Sequence, residues 1–194
     1  MIDKTNITGI ILAGGKSSRM GTDKGFLLWN DEPFIKHVID ALKPLVEEII
    51  IVSSNPAYDM FGFIRIEDKI KNAGPLAGVY SGLNASKTEY NVILSCDIPL
   101  INSEVLNILI HNVNDNSEII QVESNGKKMP LIAIYKTACK DLFFNLLRKG
   151  EKRLQFAVNQ FKAKTITLDK ELDFFTKNIN TQQDLKAIEH ACND

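Results

Sequence analysis

The sequence predicts an α/β fold, a single-domain three-layer sandwich built on a mostly parallel sheet. Three observations predict it. Short apolar runs at residues 7–12, 48–53 and 90–96 alternate with segments whose apolar residues recur at helical spacing. Strand–helix–strand connections within one sheet are nearly always right-handed, which stacks helices over the sheet. With 194 residues, 44% hydrophobic and 24% charged, the chain can bury one sizeable core.

In order, residues 7–12 read as a buried strand, interrupted only by Thr8 and Gly9, and 26–29 as more strand. The NDEP stretch at 30–33 is a turn whose proline suits a first helical position. Phe34, Ile35, Val38, Ile39 and Leu42 share a face, so 33–42 is an amphipathic helix limited by Pro44. Strands follow at 48–53 and 63–67, joined through a possible helical turn in 54–62. Residues 76–86 are helical yet rich in Gly and Ala. Each glycine there costs roughly 1 kcal/mol against Ala, so close approach to another backbone or a ligand is expected in return.

A fourth strand, 90–96, runs into Asp97-Ile98-Pro99. Asn102 or Ser103 caps a helix reaching about Asn112. Strands at 118–123 and 131–135 flank an SNGK turn. Helices at about 137–148 and 154–161 are split by Gly150, and 163–168 is a last strand. A C-terminal helix starts at Thr181, where Thr181-x-x-Asp184 resembles a capping box. No repeat or linker divides the chain. One domain is expected over 1–194, with a nucleotide-binding half to about 100 and an acceptor-binding half from about 101.

Net charge is −1 and the isoelectric point near 6.3, which argues against a nucleic-acid binder without excluding small anions. Three cysteines without metal-ligand spacing fit a reducing cytoplasm. No apolar run approaches the roughly 18 residues that span a membrane. A cytoplasmic monomer is expected.

The chain is organised around residues 12–24, LAGGKSSRMGTDK. A glycine-rich turn carrying three cations and leaving the first strand is a site for phosphates. The commonest such loop needs Gly, four residues, then Gly-Lys-Ser/Thr. Gly15-Lys16-Ser17 supplies the second half, but position 10 is isoleucine. Gly14, Gly15 and Gly21 do not make the Gly-x-Gly-x-x-Gly of dinucleotide sites either. In parallel sheets, ligands sit beyond the carboxyl ends of strands. The polar stretches 13–24, 68–75 and 97–99 all follow strands, so they converge on one site.

LAGG, Arg19-Met20-Gly21 and Lys24 together resemble the signature of nucleotidyltransferases that activate sugars, isoprenoid precursors and pterins. Gly74-Pro75-Leu76-Ala77-Gly78, Cys96-Asp97-Ile98-Pro99, Gly150-Glu151-Lys152-Arg153 and Asn178-Ile179-Asn180-Thr181 narrow it. They occur in the order and at the spacing of the molybdenum cofactor guanylyltransferases, which the chain resembles over nearly its whole length. That resemblance implies a Rossmann-like sheet of the nucleotide-diphospho-sugar transferase type. It implies Mg²⁺-dependent transfer of GMP from GTP to the molybdenum–molybdopterin cofactor, releasing pyrophosphate. Upstream cofactor-synthesis proteins and recipient molybdoenzymes would be the protein partners.

The resemblance also implies roles. Leu12, Ala13, Gly14 and Gly15 would meet the nucleotide through backbone. Arg19 and Lys24 would meet its phosphates, and Asp97 would bind Mg²⁺ and the nucleotide. Asn55 and Asp68 would lie at the nucleotide site, and Arg153, Asn178 and Asn180 toward the acceptor. Competing readings stand beside these: Asn55-Pro56 is a frequent turn pair, Arg153 suits a solvated face, and Asn180 suits a helix start.

The chemistry is consistent with these residue types. Joining a phosphate monoester to a triphosphate brings anions together, so the site must supply cations and charge stabilisation. A terminal phosphate, with a second pKa near 6, is already mostly ionised at neutral pH and needs no general base. None of the three histidines falls in a motif. Transfer of CMP to the same cofactor, transfer to another phosphorylated small molecule, and non-catalytic nucleotide carriage remain the alternatives.

Overall fold

A computed structural model describes all residues except 1, 15–22, 69, 71, 72 and 194. Gly15, Lys16, Arg19 and Gly21 therefore lie outside the described residues. Nine strands are described: β1 (Ile7–Leu12), β2 (Leu28–Trp29), β3 (Glu32–Pro33), β4 (Glu48–Val52), β5 (Ile64–Ile66), β6 (Tyr90–Ser95), β7 (Ile119–Ser124), β8 (Lys127–Lys136) and β9 (Ala163–Thr167). The α-helices are α1 (Phe34–Leu42), α2 (Gly74–Ala85), α3 (Ser103–His111), α4 (Cys139–Arg148), α5 (Leu154–Val158), α6 (Lys170–Asp173) and α7 (Gln182–Asn193).

Seven strands form one sheet in the order β5-β4-β1-β6-β8-β7-β9. β4, β1 and β6 are parallel neighbours, and β5 and β9 are parallel to β4 and β7. Only β8 runs against its two neighbours. The chain leaves β1 to one side for β4 and returns to the other for β6. The carboxyl end of β1 is thus the point where strand order reverses, where such sheets open a crevice.

Helices cover both faces, as the three-layer expectation requires. On one, Ile35, Val38 and Leu42 of α1 and Val105, Leu106 and Leu109 of α3 pack on Ile7, Ile11, Ile51, Val92 and Leu94. On the other, Leu76, Leu83, Phe143, Leu147 and Leu154 from α2, α4 and α5 pack on Ile10, Ile50 and Ile93. The small residues of α2 seat it against β1. A Cβ on Gly82 would lie 2.5 Å from Cγ2 of buried Ile10. A third cluster joins Trp29 and Phe34 to Ile179 and to Ile188 of α7.

Several elements differ from expectation. Of residues 26–29, only Leu28–Trp29 form a strand, and it lies outside the seven-stranded sheet. Asp23 caps a 3-10 turn at Lys24–Phe26, and β2 pairs only with β3 across Asn30 and Asp31, whose φ values of 47° and 62° make a tight hairpin. Pro33 sits before the first helical residue of α1. The second strand of the SNGK hairpin starts at Lys127, not 131. Its register shifts at Gln121/Val122, where Pro130 can offer the ladder no N–H. α4 starts two residues later than expected because Thr137 is used elsewhere: its hydroxyl bonds Asn91 and the Thr88 carbonyl. Asn102 caps α3, and the Thr181–Asp184 capping box closes in both directions, at 2.8 and 3.1 Å.

Candidate active site

A cleft of about 860 Å³ opens at the carboxyl ends of β1, β4 and β6. The polar stretches expected to converge do so. Leu12, Ala13, Gly14, Asp23, Lys24, Asp68, Gly74 and Asp97 all line it. The backbone there is anchored by the sheet: Ala13 N–H donates to the Val52 carbonyl at 3.0 Å, and Cys96 N–H to the Leu12 carbonyl at 3.1 Å. Among the described residues, nothing lies within 4 Å of where a Cβ on Gly14 would sit. Helix α2 begins at Gly74-Pro75 on the opposite wall. Gly74 has φ +69°, and the Lys152 carbonyl lies 3.3 Å from its would-be Cβ.

Asp97 ties several elements together in the cleft. Its Oδ2 faces Lys24 Nζ at 3.1 Å. Its Oδ1 accepts from Ser95 Oγ at 2.6 Å and from Asn178 Nδ2 at 3.0 Å. Its carbonyl accepts from Ile179 N–H at 2.8 Å. Lys24 also donates to Asn180 Oδ1 at 2.5 Å. Lys24, Asp97, Asn178 and Asn180, separated by up to 156 positions, therefore form one polar cluster.

Asp68 stands apart, beside Gly78. Its Oδ1 is buried without a hydrogen-bond partner among the described residues, 3.5 Å from the would-be Cβ of Gly78. Burial raises its pKa, and a bond with Ser81 offsets part of the rise. Cys96 lines the cleft floor, with its thiol pushed far up by burial and by the neighbouring Asp97 and Asp23 carboxylates, so it is a packed thiol.

Two expected residues lie elsewhere. Asn55 does not line the cleft. Its Oδ1 caps the 3-10 turn Pro56–Phe61 at the Ala57 N–H, and its Nδ2 donates to Asp23 Oδ2 at 3.0 Å. The Arg153 guanidinium, 74% exposed, is held two-pronged by Glu151 at 2.9 and 2.7 Å, and that pairing lowers the Glu151 pKa to about 2. Sequence reasoning missed Asp23 and Ser95. Asp two residues before Gly25 is an Asx-turn signal that could have marked Asp23.

A hard divalent cation takes oxygen ligands, commonly one or two carboxylates completed by substrate phosphates. Asp97 offers one carboxylate at a strand end beside an open cleft. Among the described residues, no cluster of three or more His, Cys, Asp or Glu could hold a metal unaided. The donor set fits a metal that arrives with its nucleotide. No helix among the described residues is long and apolar enough to cross a membrane.

Residues 9–163 match the family model described as the MobA-like NTP transferase domain. A probable molybdenum cofactor guanylyltransferase of Flavobacterium johnsoniae is 35% identical over 94% of this chain and 96% of its own. A molybdenum cofactor guanylyltransferase of Yersinia pestis is 32% identical over 92% and 93%. Among solved structures, molybdopterin-guanine dinucleotide biosynthesis protein A of Archaeoglobus fulgidus superposes with a TM-score of 0.80. It is 22% identical and covers 96% of this chain and 98% of its own. Asn178 and Asn180 fall outside the residues matched by the family model.

Proposed function

Because the chain belongs to the MobA-like NTP transferase family and is a nucleotidyltransferase of molybdenum cofactor biosynthesis, we propose that it transfers GMP from GTP to the molybdenum–molybdopterin cofactor. The products are the guanine dinucleotide cofactor and pyrophosphate. The observation that carries this reading is the convergence of Lys24, Asp97, Asn178 and Asn180 over the ends of β1 and β6, in a chain whose relatives carry that name along nearly their full length.

In this reading, backbone at Leu12–Gly14 and Gly15 receives the nucleotide, and Asp68 contacts it from the α2 side. Lys24 and Arg19 meet the triphosphate. Asp97 holds Mg²⁺, which when bound with the nucleotide supplies two positive charges against the phosphates. Lys24 and Asp97 neutralise each other in the free protein; when the triphosphate arrives, Lys24 turns to its oxygens and Asp97 Oδ2 is released. Asn178 and Asn180 hold these two side chains in place and border the acceptor. The acceptor phosphate, already ionised, attacks the α-phosphorus; the α–β bridging oxygen leaves with pyrophosphate. No proton need be removed, so the site is built from charge and alignment. Arg153 reaches the acceptor only if Glu151 releases it. The chain works as one domain and a monomer in the cytoplasm, with the nucleotide on the first half and the acceptor on the second.

The test supplies purified protein with Mg²⁺, the pterin cofactor and each nucleoside triphosphate in turn, following pyrophosphate. GTP should support release, and chelating the metal should stop it. Release with CTP alone would replace guanylyl by cytidylyl transfer, and release with none would leave a nucleotide carrier.

A further inference from the structure

Directly behind Lys24 is a second, half-buried hydrogen-bond cluster. Asp23 immediately precedes Lys24 and accepts hydrogen bonds from at least three donors. Its Oδ1 accepts from Tyr58 OH at 2.5 Å and from Gly25 N–H at 3.2 Å, and its Oδ2 from Asn55 Nδ2 at 3.0 Å. Tyr58 is fully buried, and its ring stacks on Phe26 with centroids 4.6 Å apart. Its hydroxyl also lies beside the Cys96 thiol, the residue before Asp97. A Cβ on Gly25 would sit 2.2 Å from the Tyr58 oxygen, so only glycine leaves room for the hydroxyl to reach Asp23. Both ends of the Asn55 amide are engaged here, one on Ala57 and one on Asp23.

A flexible four-carbon ammonium such as lysine is placed no better than its own backbone. β1 ends at Leu12, twelve positions before Lys24, and Lys24 must still meet Asp97 beyond the end of another strand. The short turn at Lys24–Phe26 contributes little rigidity by itself, because a 3-10 turn has poor hydrogen-bond geometry. Three donors on one carboxylate, two of them from the Pro56–Phe61 turn and its cap, fix that backbone to the end of β4.

We propose that Asp23, Tyr58 and Asn55 form a clasp of positioning residues that holds the Lys24 ammonium at the phosphate site, with Asn55 acting through Asp23 and not by touching nucleotide. The proposal rests on the reading of Lys24 as the triphosphate-binding cation. Tyr58 is then a determinant of turnover although no reacting atom meets it.

The experiment is a double-mutant cycle between Tyr58→Phe and Lys24→Ala. The phenylalanine keeps the ring stack and removes only the hydroxyl. In the otherwise unaltered protein, Tyr58→Phe should weaken GTP binding by calorimetry and lower pyrophosphate release by about tenfold. In the Lys24→Ala background it should change neither by more than about twofold, since the group it positions is gone. Asp23→Asn, which keeps shape and loses charge, should behave in the same way. Equal losses in both backgrounds would mean a general structural effect and overturn the clasp, as would no loss in either. If the unaltered protein releases no pyrophosphate with any nucleotide, the proposed reaction fails. The same cycle on GTP affinity then still decides the clasp.

Discussion

At the scale of single residues, two carboxylates of the cleft differ in how they are satisfied. Asp97 has a partner for each oxygen, whereas Asp68 keeps a buried oxygen without one among the described residues. Burial raises the Asp68 pKa above the ordinary 3.8, so between that value and its raised folded value the folded chain holds more protons than the unfolded one. Stability from this group is therefore fully present below 3.8 and falls as pH rises through the window. Asp68→Asn should make the free protein more stable than the parent at pH 7 in urea unfolding, and that advantage should shrink at acidic pH. Nucleotide affinity should fall in the same variant. A gain that does not change with pH would show that the buried charge is not the cause. The meeting of Asp97 with Lys24 was legible in sequence, because both lie in polar stretches that follow strands and converge at their carboxyl ends. The hydrogen bond from Asn55 to Asp23 was not, because a turn asparagine looks the same whether its amide faces a ligand or a neighbouring carboxylate.

At the scale of elements, α2 shows how a helix of weak propensity is retained. Gly82 costs helix stability, but it lets α2 rest against Ile10 of β1, and Gly78 then opens beside Leu12 and Asp68 at the cleft. Gly82→Ala would gain about 1 kcal/mol of helix propensity. It would also drive a methyl to 2.5 Å from a side chain with no room to move, an overpacking cost of about 1–3 kcal/mol. The second term is the larger. The expected outcome is a net loss of up to about 2 kcal/mol by urea denaturation, against a change within about 0.5 kcal/mol for Gly14→Ala, where the added methyl meets none of the described residues. A stable Gly82→Ala protein would show that α2 can slide. Strand and helix positions in the first half were legible because the apolar periods are strong there. The hairpin β2–β3 and the bulge beside Pro130 were not, because left-handed φ at Asn30 and Asp31 and a slipped register leave little trace in hydrophobic pattern.

At the scale of the whole molecule, one sheet joins both halves through the antiparallel β8, and the site is closed from the far end of the chain. The convergence at the carboxyl ends of the strands was legible, since strand order and handedness dictate it. The arrival of Asn178–Asn180 from 81 and 156 positions away was marked only by resemblance, as no local pattern encodes it. A chain shortened to end at Thr176 keeps every strand of the seven-stranded sheet but loses Asn178, Ile179, Asn180 and the Trp29–Phe34–Ile188 cluster. Its circular dichroism should still report a mixed α/β protein, while pyrophosphate release falls by about a thousandfold or more. Turnover close to that of the intact chain would remove these asparagines from the site.

The hydrogen bond from Ile179 N–H to the Asp97 carbonyl makes the polypeptide itself a strap: backbone far along the chain is tied to the backbone of the strand-end acid 82 positions earlier. A side-chain contact is lost to a single substitution, but this tie survives any replacement at 179 except proline, which alone lacks the N–H.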